Sequence, residues 1–231
     1  MNRPAALVFD LDGTLIDSRR DIRTAVNRMR ADLGLAPLTL EEVVGMVGEG
    51  ARVLVERALA SDARALAPVA LPEQVARALP AYLAYYDEVA LDTTRAYDGI
   101  PQMLERLSAA FPLALLSNKG ETMSRRILAA LGLADRFQAI LGGDSLPTRK
   151  PDPAGLRLAA ERLGVATADL VLIGDTRIDA ATAEAAGCGF LLVEWGFPRP
   201  PEVAGLRADL RAATPAEVAD RLLGLEQRFS L

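Results

Sequence analysis

The fold of this chain is decided by the stretch AALVFDLDGTL, residues 5–15. Its first half, residues 5–9, is a short apolar run with the character of a fully buried strand. The run stops at Asp10 and Asp12, two carboxylates one residue apart, and a glycine follows directly. Close carboxylates repel each other and are costly to remove from water, so a buried strand that ends on such a pair indicates a bound cation. Asp-x-Asp-Gly is also a favourable turn sequence, and on this stretch alone that interpretation stays open.

Further apolar runs of the same kind alternate with helical patterns along the chain. We predict strands at residues 112–116, 137–141, 170–173 and 189–193, helices at 99–110, 121–131, 153–163 and 176–186, and a last strand and helix within 209–223. Strands that alternate with helices are typical of a parallel sheet covered on both faces. The sequence therefore predicts an α/β protein with a doubly wound, Rossmann-like parallel-sheet core.

One long region breaks this alternation. Between residues 18 and 92 only helical patterns occur, at 18–33, 40–47, 52–59 and 72–89, and the first begins with a Ser-Arg-Arg-Asp sequence that resembles a capping box. A crossover between parallel strands needs about a dozen residues, far fewer than lie between the first two predicted strands. We therefore predict a core domain formed by residues 1–16 and 93–231, with an inserted α-helical cap domain at 17–92.

Composition narrows the class of protein further. The formal net charge of −5 argues against nucleic acid as a partner. No apolar run approaches the roughly 18 residues that a membrane span needs, and the first strand begins too early for a signal peptide. The single cysteine fits a reducing compartment. These features predict a cytoplasmic protein, a monomer or homodimer, that acts on a small molecule.

Acid–base chemistry in this chain has to come from residues other than histidine. The sequence contains no histidine at all, which excludes Ser-His and Cys-His catalysis as well as histidine-bound zinc. Carboxylates, lysines and water are the groups that remain.

Polar residues follow several of the predicted strands. Ser117-Asn118-Lys119 comes after the second strand, Lys150-Pro151 after the third, and a segment that contains Asp175 and Asp179 after the fourth. In a doubly wound sheet these positions converge on one edge. Carboxylates, a hydroxyl group and a lysine together suit phosphoryl transfer assisted by Mg²⁺. Two simpler interpretations stay open, namely Asp175 as a helix N-cap and Asp179 on a solvated helix face.

In order and spacing, these segments resemble the motifs of the haloacid dehalogenase superfamily of aspartate-nucleophile phosphatases. The helical insert resembles the cap of that superfamily. Within the insert, residues 45–59 and the Tyr85-Tyr86 pair, together with the Ser-Asn-Lys run, resemble phosphoglycolate phosphatases. The resemblance implies Mg²⁺-dependent hydrolysis of a phosphate monoester through an aspartyl-phosphate, most simply the conversion of 2-phosphoglycolate to glycolate and phosphate.

The resemblance also implies a role for each matching residue. Asp10 corresponds to the nucleophile, Asp12 to the general acid–base, Ser117 to the hydroxyl that binds the phosphoryl group, and Lys150 to the cation that offsets its charge. The implied metal ligands are Asp10, Asp12 through its backbone carbonyl, Asp175, and Asp179, the last indirectly or through water. The predicted substrate-binding residues are Thr14, Asn118, Lys119 and Arg52, with Arg52 and Lys119 as candidates for a substrate carboxylate.

Three related alternatives and one distant alternative compete with this interpretation. A sugar-phosphate phosphatase would share the same scaffold, as would a phosphomutase of the β-phosphoglucomutase type. Such mutases usually carry a histidine shortly after the first motif, which this chain lacks. A dehalogenase is disfavoured because Asp12 and the implied metal ligands are present. A phospho-accepting signalling domain would be about half this length, and its acceptor aspartate would follow a later strand.

Overall fold

The computed structural model describes residues 3–61, 71–197 and 205–228. The chain divides into two compact units, one formed by Met1–Asp17 with Ala96–Leu231 and the other by Ser18–Arg95. Within the described ranges, no helix combines the length and the apolar character that crossing a bilayer would require.

The first unit is built on a six-stranded sheet in which every pairing is parallel. Its strands are β1 (Ala6–Phe9), β4 (Leu113–Leu116), β5 (Ala139–Leu141), β6 (Leu170–Gly174), β7 (Gly189–Val193) and β8 (Leu210–Ala212). Their spatial order is β5-β4-β1-β6-β7-β8. The α/β class and the parallel core predicted from sequence are confirmed.

The described part of this unit also contains five α-helices. They are α5 (Ile100–Ser108), α6 (Glu121–Ala130), α7 (Ala154–Leu163), α8 (Arg177–Ala186) and α9 (Pro215–Arg228), with short 3₁₀ helices at Ala134–Arg136 and Thr167–Asp169. Side chains of α7 and α8 form one apolar cluster with alternate residues of the strands, among them Val8 and Leu172. The intervening residues, such as Leu7 and Ile173, are fully enclosed as well. Both faces are therefore buried, which explains why each strand reads as a continuous apolar run.

One strand begins later than predicted because its first residues close a turn instead. We predicted a strand at 137–141, but β5 covers only Ala139–Leu141. The N–H of Phe137 donates to the carbonyl oxygen of Ala134 at 3.1 Å, which completes the preceding 3₁₀ turn. The Phe137 ring packs edge-on against Phe9, with the ring centroids 6.2 Å apart. A tertiary contact has thus overridden the β-propensity of an apolar residue.

The strand order identifies the edge of the sheet at which a ligand is expected. β1 lies between β4 and β6, and the chain builds the sheet outward from β1 in both directions. The order therefore reverses next to β1. In open α/β sheets ligands bind outside the carboxyl ends of the strands at such a reversal. The carboxyl end of β1 is occupied by Asp10.

The second unit is helical. Its helices are α1 (Arg19–Asp32), α2 (Leu40–Val44), α3 (Ala51–Ala60) and α4 (Leu71–Val89), and α1 and α3 both pack against α4. Two short strands, β2 (Ile16–Asp17) and β3 (Arg95–Ala96), pair as a separate ribbon where the chain passes between the units. Helix α2 ends three residues before the predicted position, and Gly45 follows it.

The capping box predicted at the start of α1 is wrong. Ser18 is the N-cap residue, but its side chain makes no capping hydrogen bond. The Asp21 carboxylate accepts hydrogen bonds from the backbone N–H and the hydroxyl of both Thr93 and Thr94, at 2.5 to 3.1 Å. Asp21 is almost completely enclosed. Donors distant in sequence have replaced the local cap, and they tie the first helix of the unit to its last residues.

We expect Asp21→Ala to lower the free energy of unfolding by about 3 kcal/mol, because the buried donors of Thr94 and the partly buried donors of Thr93 would lose a charged acceptor. Urea denaturation at pH 7.5 measures this change. Asp32→Ala is the matched control on the same helix, since Asp32 is exposed and accepts a hydrogen bond from the Tyr85 hydroxyl at 2.7 Å. The control should stay within about 0.5 kcal/mol of the unmodified protein. Equal losses in the two variants would contradict the role given to Asp21.

Candidate active site

Asp10 lies directly after β1, at the point where the strand order reverses. Its N–H donates to the Ile173 carbonyl oxygen of β6 at 2.9 Å, so the residue still follows the hydrogen-bond ladder of the sheet. Its carboxylate is 7% exposed and accepts a hydrogen bond from Lys150 Nζ at 2.7 Å. The backbone and a buried cation therefore fix the residue predicted to be the nucleophile.

Lys150 joins two of the predicted carboxylates. Its Nζ lies 2.7 Å from Asp10 Oδ1 and 2.6 Å from Asp179 Oδ1, and its side chain is buried. Burial by itself lowers the pKa of Lys150, but the attraction of Asp10 and Asp179 outweighs burial and raises that pKa above its ordinary value. Lys150 is accordingly a permanent positive charge in the neutral pH range.

The pKa of the Asp10 side chain lies above the ordinary value for aspartate. Burial raises the pKa of Asp10 from 3.8 to about 6, Lys150 opposes this rise, and the nearby charge of Asp179 adds to it. At pH 7.5 the carboxylate is ionised, as a nucleophile requires.

Asp10, Asp175 and Asp179 form a buried acidic cluster. One carboxylate oxygen from each lies within 4.8 Å of the others, which is a spacing that could hold a metal ion. Three carboxylates and the Lys150 ammonium leave two negative charges in this buried place. A divalent cation would balance them, and carboxylate oxygens are the ligands that hard cations such as Mg²⁺ prefer. The donor set therefore fits the metal that the sequence predicts.

Asp179 is neither solvated nor peripheral. It is the third residue of α8, where Thr176 is the N-cap and the two residues form a reciprocal capping box. Asp179 Oδ2 accepts from the Thr176 hydroxyl at 2.6 Å and from its N–H at 3.1 Å, while Oδ1 accepts from Lys150. The alternative of an exposed helix face is wrong, because Asp179 is completely enclosed. The N-cap role considered for Asp175 is also wrong, because Thr176 fills it.

Ser117 and Asn118 follow β4 and are both buried. Ser117 donates its N–H to the Leu141 carbonyl oxygen at 3.0 Å, and its Oγ accepts the N–H of Lys119 at 3.2 Å. Asn118 Nδ2 donates to the Lys150 carbonyl oxygen, and Asn118 Oδ1 accepts the Lys150 N–H, each at 3.0 Å. The amide of Asn118 thus holds the backbone of the lysine that bridges the carboxylates, a contact different from the substrate contact predicted for it.

Asp12 and Lys119 form an ion pair beside the cluster. Lys119 Nζ lies 2.8 Å from Asp12 Oδ1, and both side chains are mostly enclosed, 9% and 13% exposed. Neither residue is therefore an ordinary solvated surface charge. The residue predicted to be the general acid–base is therefore ion-paired with the lysine predicted to bind substrate.

The two lysines of this chain both lie at the candidate site. Of the 26 lysine and arginine residues, only Lys119 and Lys150 are lysines, and each bonds a carboxylate at the carboxyl edge of the sheet. An ammonium is a compact point charge, whereas a guanidinium is larger and planar, so the two are not interchangeable in an enclosed site. This contrast is visible in the sequence, although our sequence interpretation did not use it.

The other two predicted substrate-binding residues, Thr14 and Arg52, lie in different units of the chain. Thr14 is completely enclosed, and its hydroxyl donates to Asp175 Oδ1 at 3.3 Å, so it supports the acidic cluster rather than facing a substrate. Arg52 is exposed on α3 in the helical unit. Its contact with a substrate stays a prediction.

Sequence reasoning missed the residues that follow β7. The N–H of Phe197 donates to Asp175 Oδ2 at 3.2 Å, and Trp195 Nε1 donates to the Thr14 carbonyl oxygen at 3.1 Å. A Cβ added to Gly196 would overlap the Asp175 side chain. These residues contribute a backbone N–H, an indole N–H and the space that a glycine without Cβ leaves for Asp175, and none of these features has a recognisable pattern in the sequence. Their position after a strand of the sheet was the only signal available.

The fold and this site together define an α/β enzyme that works at the carboxyl edge of its sheet with carboxylates and a buried lysine. The family model described as haloacid dehalogenase-like hydrolase matches residues 7–193. The chain belongs to this family, which confirms the resemblance, and it is an enzyme of the phosphatase class.

Its similar proteins include several named after one activity. The chain is 43% identical over 196 residues to a phosphoglycolate phosphatase of Cereibacter sphaeroides, covering 84% of this chain and 87% of that protein. It is 42% identical over 193 residues to a phosphoglycolate phosphatase of Neisseria meningitidis, covering 83% and 81%. The crystal structure of a predicted phosphoglycolate phosphatase from Haemophilus somnus has a TM-score of 0.87 at 28% identity, covering 96% of this chain and 99% of that one.

Proposed function

We propose that this enzyme hydrolyses 2-phosphoglycolate to glycolate and phosphate, with Mg²⁺ as the metal and an aspartyl-phosphate on Asp10 as the intermediate. The observation that carries the proposal is the buried cluster of Asp10, Asp175 and Asp179 with Lys150 bridging two of its members. The names of the similar proteins support the choice of substrate.

The chemistry divides between Asp10 and Asp12. A carboxylate oxygen of Asp10 attacks phosphorus, the bond from phosphorus to the leaving oxygen breaks, and Asp12, which enters this step protonated, gives its proton to that oxygen. Asp12 then takes a proton from a water molecule, the water oxygen attacks phosphorus, and the bond to Asp10 breaks. Inorganic phosphate leaves and both carboxyl groups return to their starting states.

The surrounding residues hold the reacting groups in place. Lys150 offsets the charge of Asp10 and of the phosphoryl oxygens, and Ser117 donates its hydroxyl to the phosphoryl group. The Mg²⁺ ion would be held by Asp10, Asp175 and the Asp12 backbone carbonyl, and it supplies charge neutralisation when bound. Both oxygens of Asp179 already accept hydrogen bonds, which supports a water-mediated contact with the metal for this residue.

A substrate carboxylate gives Lys119 a second possible partner. In the free enzyme Lys119 bonds Asp12, whose proton is needed by the leaving oxygen. In 2-phosphoglycolate the carboxylate is separated from that oxygen by a single carbon atom, so a lysine beside Asp12 can reach both. We assign recognition of this carboxylate to Lys119, with Arg52 from the helical unit as a second candidate. The helical unit would act as the substrate-selecting cap predicted from the sequence.

The test is a panel of phosphate esters with and without Mg²⁺. We expect the largest kcat/KM for 2-phosphoglycolate and complete loss of activity in excess chelator. A higher kcat/KM for hexose phosphates would overturn the choice of substrate but not the assignment as a phosphatase, and isomerisation of a hexose phosphate would favour a phosphomutase.

Arg52→Ala should raise KM for 2-phosphoglycolate more than for p-nitrophenyl phosphate if Arg52 binds the substrate carboxylate. The cytoplasmic location, the oligomeric state and the absence of nucleic acid from the partners stay predictions.

We expect Lys119→Met to slow esters with poor leaving groups more than esters with good ones. Lys119 holds the Asp12 carboxylate at 2.8 Å, and acid catalysis, which typically contributes 10²–10⁴-fold, matters only when the leaving oxygen needs a proton. The measurement compares kcat for phenyl phosphate and p-nitrophenyl phosphate, neither of which has a carboxylate. Equal losses for the two esters would contradict a role for Lys119 in placing Asp12.

We also expect the affinity for Mg²⁺ to fall as the pH drops below about 6. The metal binds the ionised carboxylate, and the raised pKa of Asp10, about 6, lets protons compete at a pH where an ordinary Asp is fully ionised. One competing proton weakens binding by about tenfold per pH unit below that pKa. Calorimetric titration at pH 5, 6, 7 and 8 measures the effect. A constant affinity between pH 7 and pH 5 would show that Asp10 does not bind the metal.

A further inference from the structure

The residues that follow β7 hydrogen-bond to the acidic cluster and to the loop after β1, and the proposed chemistry assigns them no role. Strand β7 ends at Val193. Beyond it, Trp195 Nε1 donates to the Thr14 carbonyl oxygen at 3.1 Å, and the Phe197 N–H donates to Asp175 Oδ2 at 3.2 Å. These contacts reach the loop after β1 and the carboxylate after β6.

Asp175 lies in a slot that these contacts help to build. One of its oxygens accepts from the Thr14 hydroxyl and the other from the Phe197 N–H. Gly13 and Gly196 flank the carboxylate, and a Cβ on either would overlap it. These two hydrogen bonds, one to each carboxylate oxygen, orient the Asp175 side chain.

Trp195 is connected to the same carboxylate by a second path. Its indole N–H holds the backbone of Thr14, and the hydroxyl of Thr14 holds Asp175. Since Trp195 and Phe197 are two residues apart, the hydrogen bonds close a ring from the end of β7 through Thr14 to Asp175. Two hydrogen bonds and the Thr14 residue therefore link the indole to the Asp175 carboxylate.

We propose that Trp195, Gly196 and Phe197 form a positioning segment for Asp175 and that the indole of Trp195 strengthens divalent-cation binding through Thr14. The inference rests on the proposed function in one respect, which is that Asp175 binds Mg²⁺. Partners that orient a metal ligand typically contribute 10–100-fold to metal affinity. The segment would thus tune the affinity of the enzyme for its metal while remaining outside the reacting groups.

Trp195 also provides its own probe, because the chain contains a single tryptophan. The indole is half-buried and bonded to a residue that holds Asp175. We expect Mg²⁺ to change the tryptophan emission of the full-length chain. The half-saturation of that change should equal the dissociation constant from calorimetry.

The decisive experiment compares Mg²⁺ binding by calorimetry in the unmodified chain, Trp195→Phe and Glu194→Gln. Phenylalanine keeps an aromatic ring but removes the indole N–H, and we expect the dissociation constant to rise about tenfold. Glu194→Gln is the matched control, because Glu194 is exposed and pairs with Arg211 away from the cluster. Saturating Mg²⁺ should restore the kcat of Trp195→Phe, which a general structural defect would not allow.

A double-mutant cycle tests the path through Thr14. Thr14→Val removes the hydroxyl at similar volume. The Mg²⁺ dissociation constant of the double variant Thr14→Val with Trp195→Phe should rise by less than the product of the two single-variant rises. Independent, multiplicative losses would overturn the path, and an unchanged dissociation constant in Trp195→Phe would overturn the inference. Absence of Mg²⁺ binding by the unmodified chain would overturn the proposed function itself. If Trp195→Phe does not fold, the emission titration decides, and emission that does not follow metal binding overturns the inference.

Discussion

Replacing Asp10 with asparagine is expected to abolish turnover, with a loss of at least about 10⁴-fold in kcat. Asparagine has nearly the same shape as aspartate but cannot form the acyl-phosphate, so no later step can compensate. Initial rates with 2-phosphoglycolate and Mg²⁺ measure the loss. Asp98→Asn makes the same chemical change at an exposed position of the same unit and should keep full activity.

The folded state of Asp10→Asn should survive this change. Burial raises the pKa of Asp10 to about 6, which means that its ionised form is less favourable in the folded protein than in the unfolded chain. A carboxyl group whose pKa is raised by folding stabilises the folded protein below about pH 4, and this stabilisation is lost as the pH rises through about 6. At pH 7.5 the neutral amide therefore avoids a cost that the carboxylate carries. A thermal midpoint well below that of the unmodified protein would contradict this view of the site.

Replacing Lys150 with methionine is expected to remove both activity and stability. Lys150 is the buried cation between Asp10 and Asp179, at 2.7 and 2.6 Å, and its loss leaves two enclosed carboxylates facing each other. Removing one partner of a buried ion pair typically costs about 3–5 kcal/mol. Urea denaturation in the absence of metal measures this loss, and activity should fall with it because the phosphoryl charge loses its counter-ion.

Mg²⁺ should restore part of the stability of Lys150→Met. A divalent cation bound to the same carboxylates reduces their repulsion, so the variant should gain more from added Mg²⁺ than the unmodified protein does. Arg157→Met is the control, since Arg157 is an exposed cation on α7. If Lys150→Met is as stable as Arg157→Met without metal, the two carboxylates do not depend on Lys150.

The sheet and the meeting of the site residues were predictable because both follow from simple rules. Apolar runs of strand length alternate with helical patterns, and polar residues at the carboxyl ends of parallel strands have to meet at one edge. Asp10, Ser117, Lys150 and Asp175 all lie at such positions. This part of the site depends on the backbone topology, which the sequence pattern specifies well.

What failed depended on side-chain direction and on distant partners. The Ser18 cap was displaced by the donors at Thr93 and Thr94, and Phe137 was drawn into a turn against Phe9. Thr14 lies where a substrate contact was expected, yet its hydroxyl points to Asp175. Such outcomes are set by packing between segments far apart in the chain, and local sequence patterns do not contain that information.

The central claim is that Asp10 carries the phosphoryl group during turnover. The most direct measurement is mass spectrometry of the peptide that contains Asp10, after acid quenching of the enzyme while it turns over 2-phosphoglycolate with Mg²⁺. The account predicts one added phosphoryl group on Asp10, at higher occupancy in Asp12→Asn, in which hydrolysis of the intermediate is slowed. Full turnover with no phosphorylated peptide at any quench time, or with the group on another residue, would contradict it.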